Sequence, residues 1–85
     1  MTNERFKEIY ERSSNDLMYL CYEVFSEEGR TKMSLQQFNE YFPVWITNMK
    51  IDTLFMSGGN INAVTQEGLR EIEVYLKKKY SYEEN

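Results

Sequence analysis

The run Ile61-Asn62-Ala63-Val64-Thr65-Gln66-Glu67-Gly68-Leu69-Arg70-Glu71-Ile72-Glu73-Val74-Tyr75-Leu76 constrains the architecture of this chain more tightly than any other segment. Ile61 to Val64 is β-prone and reads as one short strand. Thr65 then reads as the N-cap of a helix. Gln66 and Glu67 fall in its first turn, where acceptors and negative charge are favoured. Leu69, Ile72, Leu76 and Tyr80 recur at helical spacing and predict an apolar stripe. Lys77, Lys78 and Lys79 lie at the C-terminal end, where cations suit the helix dipole. Ser81 to Asn85 reads as a fraying tail.

Upstream of this run the chain reads as helical. Phe6, Ile9, Tyr10, Leu17, Leu20, Cys21 and Val24 fall near a 3.6-residue period. Ser13-Ser14-Asn15 interrupts the series with good caps that are poor helix interiors, which predicts helices over 3–12 and 15–27, or one fused helix. Gly29 suits the C-terminal end. Thr31-Lys32-Met33 reads as a short extended link, and Ser34 as the cap of a helix from Leu35 to Tyr41 or Phe42. Pro43 is expected to stop that helix, because the residue before a proline avoids helical angles. Another helix is expected from Trp45 or Ile46 to Met56, ended by the break Ser57-Gly58-Gly59-Asn60.

Length and composition bound the class. Eighty-five residues make a single domain over 1–85. Hydrophobic content is 41%, with one proline and four glycines, which suits a folded helical protein rather than a disordered one. Seven tyrosines and five phenylalanines are many for this length, and they either complete a small core or leave a surface for a partner to cover. Cys21 is the single cysteine, so an intramolecular disulfide is excluded and a cytoplasmic location is expected. No apolar run approaches membrane-spanning length, and the first residues lead into no apolar signal core. Net charge is −4, placed unevenly. Residues 14–28 are acidic, whereas 29–50 carry Arg30, Lys32 and Lys50 against Glu40.

The chain lacks histidine, a calcium-loop pattern and a phosphate-binding loop, so neither metal chemistry, a cofactor nor an enzyme is expected. Cys21, inside an apolar helical stripe, reads as a core residue. Gly58-Gly59-Asn60 reads as a turn.

The expected order is helix, extended link, helix, tight turn, helix, glycine break, strand, helix. It resembles a winged helix-turn-helix domain over roughly residues 14–80. Met33-Ser34-Leu35-Gln36-Gln37-Phe38 resembles the family's second helix. Ile46 through Gly59 resembles its third, and Val64-Thr65-Gln66-Glu67-Gly68-Leu69 its junction after the wing. The expectation is therefore a mainly α fold with a minimal β-hairpin, because only residues 58–64 remain for the wing, and they contain neither arginine nor lysine.

The resemblance implies a small non-enzymatic transcriptional regulator that binds duplex DNA as a homodimer. Thr47, Asn48 and Lys50 would sit near the N-terminal half of its recognition helix, and Arg30 and Lys32 would anchor phosphates. It also implies a dimer interface on the first and last helices, where Tyr10, Tyr19, Tyr22, Tyr75 and Tyr80 lie. The residues themselves leave a second reading open: a protein-interaction module of viral or mobile-element type. That reading rests on the acidic stretch 14–28, the aromatic excess and the meagre wing. Trp45 has two roles open to it, plugging the core beneath a turn or anchoring a partner. Tyr10, Tyr22, Trp45 and Tyr75 are the candidate partner residues, and no membrane partner is expected.

Overall fold

A computed structural model of the chain describes residues 1–13 and 15–83. Five helices follow one another: α1 (Asn3–Arg12), α2 (Leu17–Glu27), α3 (Leu35–Met49), α4 (Ile51–Met56) and α5 (Ile61–Lys79). No helix is long and apolar enough to cross a membrane among the described residues.

The first three helices start where the sequence supplies side-chain acceptors. Thr2 Oγ1 accepts from the Arg5 amide at 3.1 Å, and Asp16 Oδ1 accepts from the Tyr19 amide at 3.1 Å. Between α1 and α2, Asn15 takes a left-handed φ of 68°, which asparagine tolerates better than most residues. The helices are thus separate rather than fused. Ser14, within the expected break, lies outside the described residues. Beyond the α2 cap at Glu28, Gly29 takes a φ of 75° that lets the Arg30 amide reach back to the Phe25 carbonyl at 2.8 Å. Ser34 and Gln37 form a reciprocal capping box that opens α3.

Three expectations need correction. First, Pro43 does not end α3; the helix continues to Met49. Phe38, Phe42 and Ile46 stand four residues apart and are all buried. Burying an Ile or Phe is worth roughly 1.5–3 kcal/mol each, so keeping Phe42 and Ile46 on one stripe offsets the ~3 kcal/mol cost of an interior proline. The tight turn of a helix-turn-helix is therefore absent at this point.

Second, the helix expected over 46–56 is divided. Lys50, with φ −116° and ψ 41°, ends α3 and precedes the six-residue α4.

Third, Ile61 to Val64 is not a strand but the first turn of α5. Asn60 is its cap, accepting from the Ala63 amide at 3.1 Å. Thr65 is buried inside the helix, and its hydroxyl donates to the Ile61 carbonyl at 2.8 Å. Val64, Thr65, Gly68, Leu69 and Leu76 make the buried side of α5. That helical spacing, satisfied by packing, overrides the β preference of isolated Ile and Val. Among the described residues there is no strand, hence no hairpin.

Two apolar clusters form the core. Phe6, Ile9, Leu20, Val24, Leu76 and Tyr80 join α1, α2 and the end of α5. Cys21, Phe38, Phe42, Ile46, Val64 and Leu69 join α2, α3 and the start of α5. Leu17, Phe25 and Ile72 pack against both. Within the expected tail, the Tyr82 ring lies 4.6 Å from that of Tyr10 and edge-on to Phe6. Glu84 and Asn85, the end of the expected tail, lie outside the described residues.

Candidate functional site

The five residues expected at DNA are not brought together. Arg30 and Lys32 precede α3, while Thr47, Asn48 and Lys50 lie at its far end, roughly 22 Å away at 1.5 Å per residue. Arg30 Nε is 3.3 Å from Glu28 Oε1, and its guanidinium covers the Phe25 ring at 5.7 Å. Thr47 Oγ1 donates to the Pro43 carbonyl at 2.8 Å. Lys50 Nζ donates to both oxygens of Glu71, at 3.0 and 2.9 Å, with Glu67 4.0 Å away. The Glu71 hydrogen bond holds the Lys50 ammonium above its ordinary pKa. Lys32 and Asn48 are exposed.

The four expected partner residues divide in two. Tyr10 packs beside Phe6 and Tyr82, and its hydroxyl donates to Glu73 Oε2 at 2.8 Å. Tyr22 packs edge-on to Phe38 and donates to the Met33 carbonyl at 3.2 Å. Both are half-buried. Tyr75 is 55% exposed, and Trp45 retains 36% of its surface. Trp45 stacks on the buried Phe42 with ring centroids 5.2 Å apart, so an anchored ring presents its other side outward.

Trp45 is the centre of a continuous apolar belt along α3. On one side it lines a depression of about 240 Å³ with Phe25, Met33, Tyr41 and Phe42. Met33 and Tyr41 also line the adjoining depression, with Val44. On the other side Trp45 lines a groove of about 300 Å³ between α3 and α5, with Ile46, Met49, Gly68 and Ile72. The Lys50–Glu71 pair forms the rim of that groove. Tyr75 follows Ile72 by three residues and continues this side of α5 by helical spacing. At the floor of the groove Gly68 has no side chain, and α5 comes close to Ile46 there.

Tyr41, Val44, Met33 and Met49 were not among the expected site residues. Their signal is a second stripe, Tyr41, Trp45 and Met49 at four-residue spacing, beside the buried stripe Phe38, Phe42 and Ile46. It becomes visible only when α3 is read as continuous through Pro43. Beyond the belt, α4 exposes Phe55 and Met56 almost completely. Cys21 lies in the core, and among the described residues no cluster of three or more potential metal ligands is present. No family model, no curated protein and no solved structure matches this chain.

Proposed function

We propose that this chain is a non-enzymatic protein-interaction module that docks through the α3 belt. The carrying observation is Trp45, an anchored aromatic ring at the centre of a continuous apolar surface. Contiguous exposed apolar patches mark interaction surfaces, and tryptophans are enriched among interface anchors. Met33 and Met49 add flexible, polarizable side chains that adapt to an incoming surface.

A duplex-DNA regulator has less support. Its favourable features are the helical class, the Ser34-capped α3 and the exposed Lys32. Arg30 and Lys50 already face carboxylates, and α5 begins where a wing would have to lie. Phosphate contact needs cations on one exposed face, and net charge of −4 opposes it.

Replacing Trp45→p-benzoylphenylalanine provides the test. Irradiation in an extract of the native host is expected to give a covalent adduct with a polypeptide, either this chain or another. The same probe at Gln66, exposed on α5, is expected to give none. No more adduct at position 45 than at position 66 would sink the reading.

A further inference from the structure

The belt carries opposite charge at its two ends, and this polarity selects an occupant. Before α3 stand Arg30 and Lys32, while the nearby Glu28 is shared between Arg30 and Lys79. After α3, Lys50 faces Glu67 and Glu71, Asp52 lies in the first turn of α4, and Arg70 is the other cation on this stretch of α5, leaving three carboxylates against two cations. One end therefore has an excess of positive charge and the other an excess of negative charge. Glu40 lies between them, on the rim of the depression that holds Tyr41 and Val44. Tyr41 and Trp45 flank the midpoint of α3, so the apolar part of the belt is centred between the charged ends.

Such a surface is complementary to itself when turned end for end. A two-fold axis near Tyr41 and Trp45 sets the Arg30–Lys32 end of one copy against the Glu67–Glu71 end of the other. In that arrangement the two α3 helices run antiparallel, each contact occurring twice. We propose that the belt is the interface of an isologous homodimer with this register. The proposal rests on the interaction-module reading and names the partner at the same surface.

The available area fits. Tyr41, Val44 and Met49 retain 53%, 54% and 66% of their surfaces, with Trp45 and Met33 contributing about a third of theirs. Together these amount to a few hundred Å² of apolar surface. A standard interface buries about 800 Å² per partner, of which roughly 57% is apolar. The polar remainder is supplied by the charged ends.

Sedimentation equilibrium of the full chain at low and high salt tests the arrangement. The unaltered chain is expected to be a dimer whose association weakens as salt rises. Trp45→Ala, and the gentler Val44→Glu at an exposed position, should each weaken association at least tenfold while far-UV circular dichroism is unchanged. Lys32→Glu and Glu67→Lys should each weaken it, and the chain carrying both should recover, because each new charge meets its complement across the axis. A monomer at every concentration overturns the proposal. So does a dimer indifferent to Val44→Glu, or a double charge variant no stronger than either single one. In the monomeric case, residue-45 adducts containing a different polypeptide leave the interaction-module reading standing. Absence of any adduct removes both.

Discussion

Ile46 of α3 rests directly on the bare backbone of Gly68 in α5: a Cβ built at position 68 would lie 2.5 Å from Ile46 Cγ2. That methyl belongs to a β-branched side chain whose χ1 is stiff, so it cannot swing aside as a flexible tip would. Gly68→Ala gains up to ~1 kcal/mol of helix propensity but incurs an overpacking cost of about 1–3 kcal/mol. The expected outcome is net destabilisation of about 1 kcal/mol in urea unfolding, partly relieved by adding Ile46→Leu, which moves the branch away from Cβ. A more stable Gly68→Ala chain would show that the helices do not meet this closely.

The Glu28 carboxylate should make stability fall in acid. Its side chain is 8% exposed and receives bonds from Lys79 Nζ at 2.6 Å and from the Tyr80 hydroxyl. Burial works most strongly against its charge, but those hydrogen bonds and the charges of Arg30 and Lys79 together outweigh it, so the carboxyl sits below its ordinary value of 4.5. A depressed carboxyl contributes stability above its unfolded pKa and loses it as pH falls through the folded value. The loss is therefore expected below about pH 4.5. Glu28→Gln should cost about 1–2 kcal/mol at neutral pH and flatten the acid limb of the unfolding midpoint. An acid limb identical in both chains would refute this assignment.

Tyr80 predicts the opposite limb. Burial, then its bond to Glu28, holds the phenol above its ordinary value of 10.0. A raised phenol contributes stability that is present below the unfolded pKa and lost as pH rises through the folded one. Tyr80→Phe should therefore be less sensitive to alkali than the unaltered chain, as read by unfolding midpoints above about pH 10.

Cys21 should be inert while the fold is intact. It is fully buried, and burial, then the charge of Glu73, pushes its thiol up to about 12. Only the thiolate reacts readily, so a disulfide reagent near pH 8 is expected to label it at the rate of global unfolding. Fast labelling without denaturant would place Cys21 outside the core.

The start of α5 offers a direct contest between two caps. Asn60→Ala should cost about 1 kcal/mol, because it leaves the Ala63 amide without its side-chain acceptor. Thr65→Val should cost less than about 0.5 kcal/mol, because the Ile61 carbonyl that its hydroxyl meets also belongs to the helix ladder. Chemical denaturation of both variants checks the order. The reverse order would favour a helix beginning at Thr65.

These outcomes mark what the residues disclosed and what they concealed. The first two helices, the glycine exit at Gly29 and the Ser34 cap were legible because each rests on local chemistry. The α3 belt was not, since its recognition depends on whether Pro43 stops a helix. That depends on Phe42 and Ile46 finding a core contributed by α2 and α5, which no local pattern records. The strand reading of Ile61 to Val64 failed for the same reason: packing of Val64 and Thr65 against distant partners decided the backbone. Trp45 was legible as a residue with two roles open to it; the structure stacks its ring on Phe42 and leaves 36% of its surface exposed. The internal bonds of Tyr10 to Glu73 and of Tyr22 to Met33 were not legible, because aromatic composition does not reveal where a hydroxyl finds its acceptor.

The short helix after Lys50 has a further consequence. α4 has six residues, no side-chain cap and no buried residue; Ile51, Phe55 and Met56 already face outward, and Leu54 alone of its apolar residues packs partly against the core. Melting it would thus uncover little new surface beyond Leu54. Since the effect of urea on an opening reaction scales with the surface uncovered, the amides of Leu54 to Gly59 should exchange with solvent at a rate nearly indifferent to low urea. Amides of α2 and α5 should instead follow the whole fold. The chain would then contain a segment that opens without the rest being disturbed, presenting Phe55 and Met56 on an adaptable backbone rather than a fixed one.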